Sequence, residues 1–386
     1  MCTRYWLSCV LLLCVFTAKS QQQEHPDTTY KPLISLPKTF LLDNIDLIAN
    51  MRFTERNDFV NNAYTGSRFV NEQFRLEIKG KVTNKLYFRF RDRYTTNPVT
   101  QSVDNLSRST DMAYLRFDPN EHWKIYAGKM SADWGGYEFD ANPIDIYEYS
   151  DIIEFADNFL SGAGMGYLPD KHNEFTVQLM NSRTRTFTEL YDTIPGIYES
   201  KFPFAAVVNW RGNFWDGKFQ TIWSSSLFKE ATHQFMTYFA FGNQLQLKNV
   251  RFQYDFKLSL ENLDRKLIVT NIVNNGHAKE GIKYMSHWIS ADVKMSRIVH
   301  LAFQGMVDFA YWDGNPDPNA NKKLRTAWGY VPGVEVYPLK AVNLKVYANM
   351  VGRVYRYTDY AKAAFGKSDN TNFRFSVGIV TPLTVL

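Results

Sequence analysis

The twelve residues Val250–Glu261 alternate between apolar and polar side chains without interruption. Because a β-strand points successive side chains to opposite faces, one face of this stretch is apolar and the other is polar or charged. Strands average about 5–6 residues, whereas a tilted strand that crosses a bilayer needs about 9–11. The stretch therefore predicts a transmembrane strand with one face toward lipid and the other toward water. One strand of this kind is also compatible with a soluble β-sandwich, so the rest of the chain must decide.

The N-terminal twenty residues have the layout of a secretory signal peptide. Arg4 supplies the positive charge, Trp6–Phe16 is an apolar run, and Ala18 and Ser20 are the small residues at the expected cleavage site. We expect cleavage after Ser20. The three cysteines all lie in this segment, at Cys2, Cys9 and Cys14. A mature chain without cysteine excludes a disulfide scaffold, a thiolate metal site and a cysteine nucleophile.

Composition narrows the class of the remaining chain. The net charge of +5 falls to +3 with the loss of Arg4 and Lys19, which is too small for a nucleic-acid partner. No later apolar run approaches the 18 residues of a transmembrane helix, and the aromatic content is 16%. We interpret residues 21–39, which contain three prolines, as a periplasmic lead-in and residues 40–386 as one barrel domain.

Alternation of this kind recurs in sixteen segments, from Ile45–Phe53 to Phe373–Val385. The connections after even-numbered segments are short and those after odd-numbered segments are long, including Thr54–Asn71 and Phe228–Met236. A soluble sandwich has no reason to keep its long loops at one end. The pattern predicts an all-β fold, a transmembrane antiparallel β-barrel of about 16 strands with periplasmic turns and outer loops.

Aromatic residues fall where these segments end. Tyr311, Trp312 and Trp328 lie at predicted outer ends, while Trp123 and Trp215 lie at predicted inner ends. Their rings are apolar and their tips reach water, which suits a membrane interface. Pro382 and the terminal Leu386 are unusual, because the proline lacks an N–H for the strand ladder and such barrels usually end in Phe.

The segments Ala113–Lys129 and Trp134–Asp145 resemble the phosphate-selective porin family in its broad sense. The first reads AYLRFDPNEHWKIYAGK and the second WGGYEFDANPID. The resemblance implies a sixteen-stranded, often trimeric porin of the Gram-negative outer membrane. It also implies that the third loop, Met130–Ser161, folds into the lumen and narrows it.

Charges follow the same alternation. Side-chain parity places seven cations of the second to fifth strands on the lumen face: Arg75, Lys79, Arg89, Arg91, Arg93, Arg116 and Lys124. A cation on the lipid face costs roughly 2–4 kcal/mol at the midplane, so this parity is well enforced. The third loop holds eight carboxylates and neither Lys nor Arg: Asp133, Glu138, Asp140, Asp145, Glu148, Asp151, Glu154 and Asp157.

An acidic loop folded against a basic wall would create a transverse field that filters ions. We expect its carboxylates to lie beside Arg89, Arg91 and Arg116. Other interpretations stay open: the acids belong to a solvated surface loop or simply tether the loop to the wall, and the arginines are only a solvated lumen face. Tethering and filtering could both hold. The loop matches no EF-hand spacing, so we expect no metal site.

Two function classes remain. The first is a porin for passive diffusion of small hydrophilic solutes or ions, with a preference for anions. The second is a surface receptor or structural barrel with a blocked pore. The seven histidines form no metal spacing, and His287 with Ser290 lacks a carboxylate partner for hydrolysis. We therefore expect neither an enzyme nor a cofactor, and we expect solutes, outer-membrane lipid and a homotrimer as partners.

Overall fold

A computed structural model describes residues 44–273, 276–339 and 342–385. The expected signal peptide, the lead-in and Leu386 lie outside these described residues.

The chain forms sixteen antiparallel strands in which each strand pairs with its sequence neighbours, and β1 pairs with β16 to close the barrel. This confirms the predicted fold class and strand number. The strands are β1 Ile45–Val60, β2 Ala63–Lys81, β3 Leu86–Arg93, β4 Thr110–Asn120, β5 Trp123–Ser131, β6 Phe159–Asp170, β7 Asn173–Asn181, β8 Phe204–Phe214, β9 Phe219–Ala231, β10 Gln234–Gln246, β11 Val250–Leu263, β12 Glu280–Lys294, β13 Val299–Trp312, β14 Lys323–Val336, β15 Lys345–Tyr357 and β16 Asn370–Thr384.

Strand β11 has the two faces that its sequence predicts. Phe252 and Leu260 are about two-fifths exposed on the outer surface, whereas Asp255, Lys257 and Ser259 are fully buried inside the barrel. Burying ionised groups is costly unless they are paired and hydrogen-bonded. The inward face of β11 must therefore contact groups of opposite charge within the lumen.

Two outer connections are shorter than predicted. Residues assigned to the loop Thr54–Asn71 extend β1 and β2 into a long hairpin, and those assigned to Phe228–Met236 extend β9 and β10 in the same way. The first hairpin turns at Asn61 and Asn62, which have φ values of 49° and 66°. Asparagine tolerates this left-handed region, and two such residues suit a tight hairpin. Above the membrane outward side chains can be polar, so the alternation of apolar and polar residues that indicates a strand is lost there.

The last strand is regular despite its proline. β1 pairs with β16 continuously from Ile48 opposite Thr384 to Val60 opposite Asn372. On the other side the ladder with β15 ends at Val380, so Pro382 lies beyond it and needs to donate no hydrogen bond there.

Trp312 does not lie at the outer interface that the sequence predicts for it. Trp312 is buried and its indole nitrogen donates a hydrogen bond to the Glu280 carbonyl oxygen at 3.1 Å, so it does not belong to the aromatic girdle. Trp328 and Trp215 are exposed on the outside of the barrel and at an inner turn, respectively.

Short helices lie in the outer connections. They are α1 Tyr137–Asp140, α2 Asp151–Glu154, α3 Phe187–Tyr191, α4 Ile268–Val273 and α5 Asp359–Phe365, with a 3-10 turn at Pro143–Asp145. Among the described helices none is long and apolar enough to cross a membrane.

An apolar cluster inside the barrel joins the third loop to the wall. Trp134, Ile152 and Ile153 of the loop pack with Tyr238 of β10 and Ile268 of α4. The loop that connects β5 to β6 therefore has an apolar core of its own on one side of the lumen.

Candidate functional site

The third loop turns into the lumen at Gly136. Its next two backbone N–H groups, of Tyr137 and Glu138, donate to the Asp255 carboxylate of β11 at 2.9 and 2.8 Å. A Cβ atom at Gly136 would lie 2.6 Å from that carboxylate, and one at Gly242 of β10 would lie 2.7 Å from it. Glycine at both positions gives Asp255 the room to cap the first turn of α1.

Glu138 makes the most buried contact of the loop. Its carboxylate forms an ion pair with Lys257 of β11, and both side chains are fully buried. Ser150, from later in the same loop, donates its backbone N–H at 2.6 Å and its hydroxyl at 2.7 Å to Glu138. One carboxylate thus joins two parts of the loop to the barrel wall.

Asp151 forms a second anchor at the start of α2. Its carboxylate accepts hydrogen bonds from Arg353 of β15 at 2.6 Å and from Arg325 of β14. Arg353 also pairs with Asp308 of β13 at 3.0 Å, and Asp308 accepts the Asp151 backbone N–H at 3.2 Å. The charges of this buried cluster are therefore shared between two arginines and two carboxylates.

Five of the six remaining loop acids also pair away from β2–β5. Arg211 of β8 bridges Asp133 at 2.7 Å and Asp140 at 2.8 Å. The other pairs join Asp145 to Lys345 of β15 at 2.8 Å, Glu148 to Arg353 and Arg374 at 3.7 Å each, and Asp157 to Arg265 at 3.0 Å. We call the inward cations that hold the loop the anchor wall: Arg211, Lys257, Arg325, Lys345, Arg353 and Arg374.

The expectation that the loop acids lie beside Arg89, Arg91 and Arg116 is therefore wrong. The anchor wall carries more inward cations close to the loop, and the apolar cluster draws the loop to the same side. Two sequence features indicate that the loop needs cations and that a second wall offers them, although they do not choose between the walls. The loop carries eight carboxylates and no cation of its own, and parity turns Lys257 of β11 toward the lumen.

The seven cations predicted on β2–β5, which we call the pore wall, have acidic partners of their own. Arg75, Arg91 and Arg93 surround Asp111 at 3.1, 3.3 and 3.4 Å. The other pairs join Arg89 to Glu77 at 3.0 Å, Lys79 to Glu77 at 3.9 Å, Arg116 to Asp118 at 2.9 Å, and Lys124 to Glu174 at 2.9 Å. Sequence reasoning assigned Asp111 to a loop and missed its place among three arginines.

A cavity of about 950 Å³ separates the pore wall from the third loop. Arg75, Lys79, Arg89, Arg91 and Arg93 line one side of it, whereas Arg116 and Lys124 lie outside its lining. The loop contributes Phe139–Pro143, Tyr149 and Glu154 to the other side. This open space of the lumen thus lies along strands β2–β4.

Glu154 differs from the other loop acids. Its side chain is exposed to the cavity, but desolvation inside the lumen and the neighbouring Glu148 carboxylate raise its pKa above the ordinary range. Burial also raises the pKa of Glu148, although Arg374 and Arg353 oppose this effect. Glu154 is thus the loop acid whose protonation changes the charge of the cavity most directly.

A closed sixteen-stranded barrel with an apolar outside and a charged, partly open lumen defines an outer-membrane channel of the porin class. The family described as Phosphate-selective porin O and P matches residues 51–377, so the chain belongs to that family. It is a channel of the bacterial outer membrane for small solutes.

Solved structures share the fold at low identity. The anion-selective porin from Comamonas acidovorans is 11% identical, with a TM-score of 0.57 over 87% of this chain and 98% of that one. OprB of Pseudomonas putida is 10% identical, with a TM-score of 0.58 over 89% and 95%. The channel DcaP of Acinetobacter baumannii is 8% identical, with a TM-score of 0.54 over 86% and 96%. No curated protein sequence matches the chain.

Proposed function

We propose that this porin is a passive, non-enzymatic channel that favours small hydrophilic anions, and that solutes pass between the pore wall and the third loop. The carrying observation is the 950 Å³ cavity lined by the arginines of β2 and β3. In this proposal Arg75, Lys79, Arg89, Arg91 and Arg93 attract the solute. Arg116 and Lys124 extend the basic surface toward the periplasm.

The charge balance of the cavity supports a preference for anions. Eight cationic and six acidic side chains line it, an excess of two positive charges. Two of those acids, Asp140 and Asp157, also bind Arg211 and Arg265 outside the cavity lining. Cationic walls of low dielectric raise the local concentration of anions.

The loop acids Asp133, Glu138, Asp145, Glu148 and Asp151 act in this proposal as tethers rather than as an ion filter. Each has a cation of the anchor wall within 4 Å, so its charge is neutralised locally. Tethering and filtering, which the sequence leaves open for the loop acids, thus apply to different residues. Glu154 is the loop acid that contributes to filtering.

A receptor with a blocked pore is the competing function. The apolar cluster fills the lumen beside β8–β14, which favours it, but the cavity along the pore wall favours conduction. We further propose that the protein lies in the outer membrane of a Gram-negative cell, contacts the lipid of that membrane and forms a homotrimer. The trimer form solved for OmpT of Vibrio cholerae, 11% identical with a TM-score of 0.53, supports the last of these.

Single-channel recording of the purified protein in a planar bilayer tests the proposal. We expect steady conductance. In a KCl gradient we expect a reversal potential that is shifted from zero toward the chloride equilibrium potential. Absence of conductance from folded protein would favour the blocked receptor, and a cation-side reversal potential would contradict the anion preference.

A further inference from the structure

Two lysines lie on the outside of the barrel, at the outer end of β12–β14. Lys283 of β12 pairs across the sheet with Tyr311 of β13, and Tyr311 pairs with Lys323 of β14. Their inward neighbours Ile282, Tyr284 and Leu324 are buried, and both lysines remain partly exposed. The two ammonium groups therefore share one row of the lipid-facing surface, and we call them the outer lysine pair.

Aromatic rings hold both ammonium groups close to the barrel surface. The Lys283 nitrogen lies 4.4 Å from the Tyr311 ring centroid, and the Lys323 nitrogen lies 5.9 Å from the Phe309 ring centroid. Such cation–π contacts restrict long side chains that would otherwise extend into water. Asp313 is the acid beside them, 3.3 Å from Lys283, so the group keeps one excess positive charge.

An apolar surface begins directly below this row. Met285 and Phe309 form the next outward pair, and Val307 with the exposed Trp328 forms the pair after that. Leu260 of β11, also exposed, pairs with Lys283. Positive charge above a hydrocarbon-facing band complements a lipid with an anionic headgroup and acyl chains.

We propose that the outer lysine pair binds the phosphate of an outer-leaflet lipid whose acyl chains lie on Met285, Phe309 and Trp328. Tyr311 lies between the two lysines in the sheet, and its hydroxyl offers a further donor. A soluble anion could use the charges but would gain nothing from the apolar band. The site is on the opposite face of the wall from the lumen, so the inference is independent of the conduction pathway.

Native mass spectrometry of the full barrel in a non-ionic detergent tests this site, with bisphosphorylated lipid A and its dephosphorylated form as probes. We expect the K283Q/K323Q variant to bind lipid A about 25-fold more weakly, from roughly fivefold for each lysine near a membrane surface. D313N, which removes the competing carboxylate, should bind about fivefold more tightly. K229Q is the matched control, because Lys229 is also outward near the end of a strand, on β9.

Equal binding of the dephosphorylated lipid, or no loss in the double variant, would overturn the proposal. Inorganic phosphate at the same concentration should not displace the lipid, and full displacement would identify a free-anion site instead. The D313N variant tests the charge dependence separately if the double variant folds poorly. Conductance in planar bilayers should stay unchanged in all three variants, because none of the substituted side chains faces the lumen.

Discussion

The pore wall and the anchor wall both carry inward cations, but those cations have different partners. On the anchor wall, the cations hold carboxylates that belong to a separate segment, the third loop, as Lys257 holds Glu138 and Arg353 holds Asp151. On the pore wall the acids are local, as Asp111 is among Arg75, Arg91 and Arg93. Partners on the same wall leave the space in front of them open.

The two walls also differ in the burial of particular ion pairs, although Arg75, Arg91 and Asp111 of the pore wall are buried as well. Lys257 and Glu138 are completely buried, whereas Arg89 and Arg93 are almost one-third exposed toward the cavity. Removing one member of a buried pair leaves an uncompensated charge, while a partly exposed pair contributes little to stability. Charges of the same sign on two sides of one lumen therefore have different roles. Those of the anchor wall hold the loop in place, and those of the pore wall set the electrostatic field of the cavity.

The largest effect should come from deleting residues 140–151, the middle of the third loop, which removes Asp140, Asp145, Glu148 and Asp151. Emptying the lumen beside β13–β16 should raise single-channel conductance roughly twofold or more. Sugars too large for the parent channel should begin to pass in liposome-swelling assays. Unchanged conductance and size limit would show that the loop does not narrow the lumen.

Substituting Lys257→Met should release the loop, because the buried Glu138 loses its counter-charge at a cost of about 3–5 kcal/mol. We expect frequent current fluctuations and faster proteolysis within residues 132–158. The double variant K257M/E138Q should restore part of the lost order. Lys79→Met is the matched control on the pore wall, where the loss should be below about 1 kcal/mol. Equal fluctuations in both single variants would remove the distinction between the walls.

Replacing Arg89 and Arg91 with Ala should make the channel less anion-selective, since two positive charges beside the cavity are lost. In a tenfold KCl gradient we expect the reversal potential to move toward the cation side by about 10 mV. Asp111→Asn should move it the other way, because it frees the charge of three arginines. If neither variant changes the reversal potential, these charges do not act on the conduction path.

The smallest effect should come from pH. The pKa of Glu154 is raised, so Glu154 becomes protonated at a higher pH than an ordinary glutamate, and the cavity then loses a negative charge. Anion selectivity should therefore increase as the pH falls from about 7 to 5. In a KCl gradient the reversal potential should move toward the anion side by a few millivolts. Glu154→Gln should reproduce the low-pH selectivity and lose most of the pH dependence. A full pH response in Glu154→Gln would assign it to other groups.

The barrel could be predicted from sequence because lipid enforces side-chain parity on every strand. β11 is the clearest case, with charges on one face and apolar residues on the other. Parity also placed Arg89, Arg91 and Arg93 on the lumen side. Lipid does not enforce this parity beyond the membrane, where the hairpin around Asn61 has polar residues on both faces and its sequence predicts a loop.

The loop's position depends on contacts between residues far apart in sequence, and no local pattern encodes them. Arg353 is 202 residues from Asp151, and Lys257 is 119 residues from Glu138. The acidic composition of the loop predicts that it needs cations, but two walls supply them. The choice between the walls depends on the apolar packing of Trp134 and Ile152, which becomes evident only in the folded chain.

Cysteine accessibility tests most directly whether the loop covers the anchor wall and leaves the pore wall open. No cysteine follows Cys14, so Arg89→Cys and Ser286→Cys each introduce the only thiol of residues 15–386. Ser286 is fully buried on the inward face of β12, where its hydroxyl donates to Asp308 at 2.5 Å. A negatively charged thiosulfonate should quickly reduce the current through Arg89→Cys. It should leave Ser286→Cys unchanged until residues 140–151 are deleted. Equally fast modification of both variants in the intact channel would contradict this arrangement.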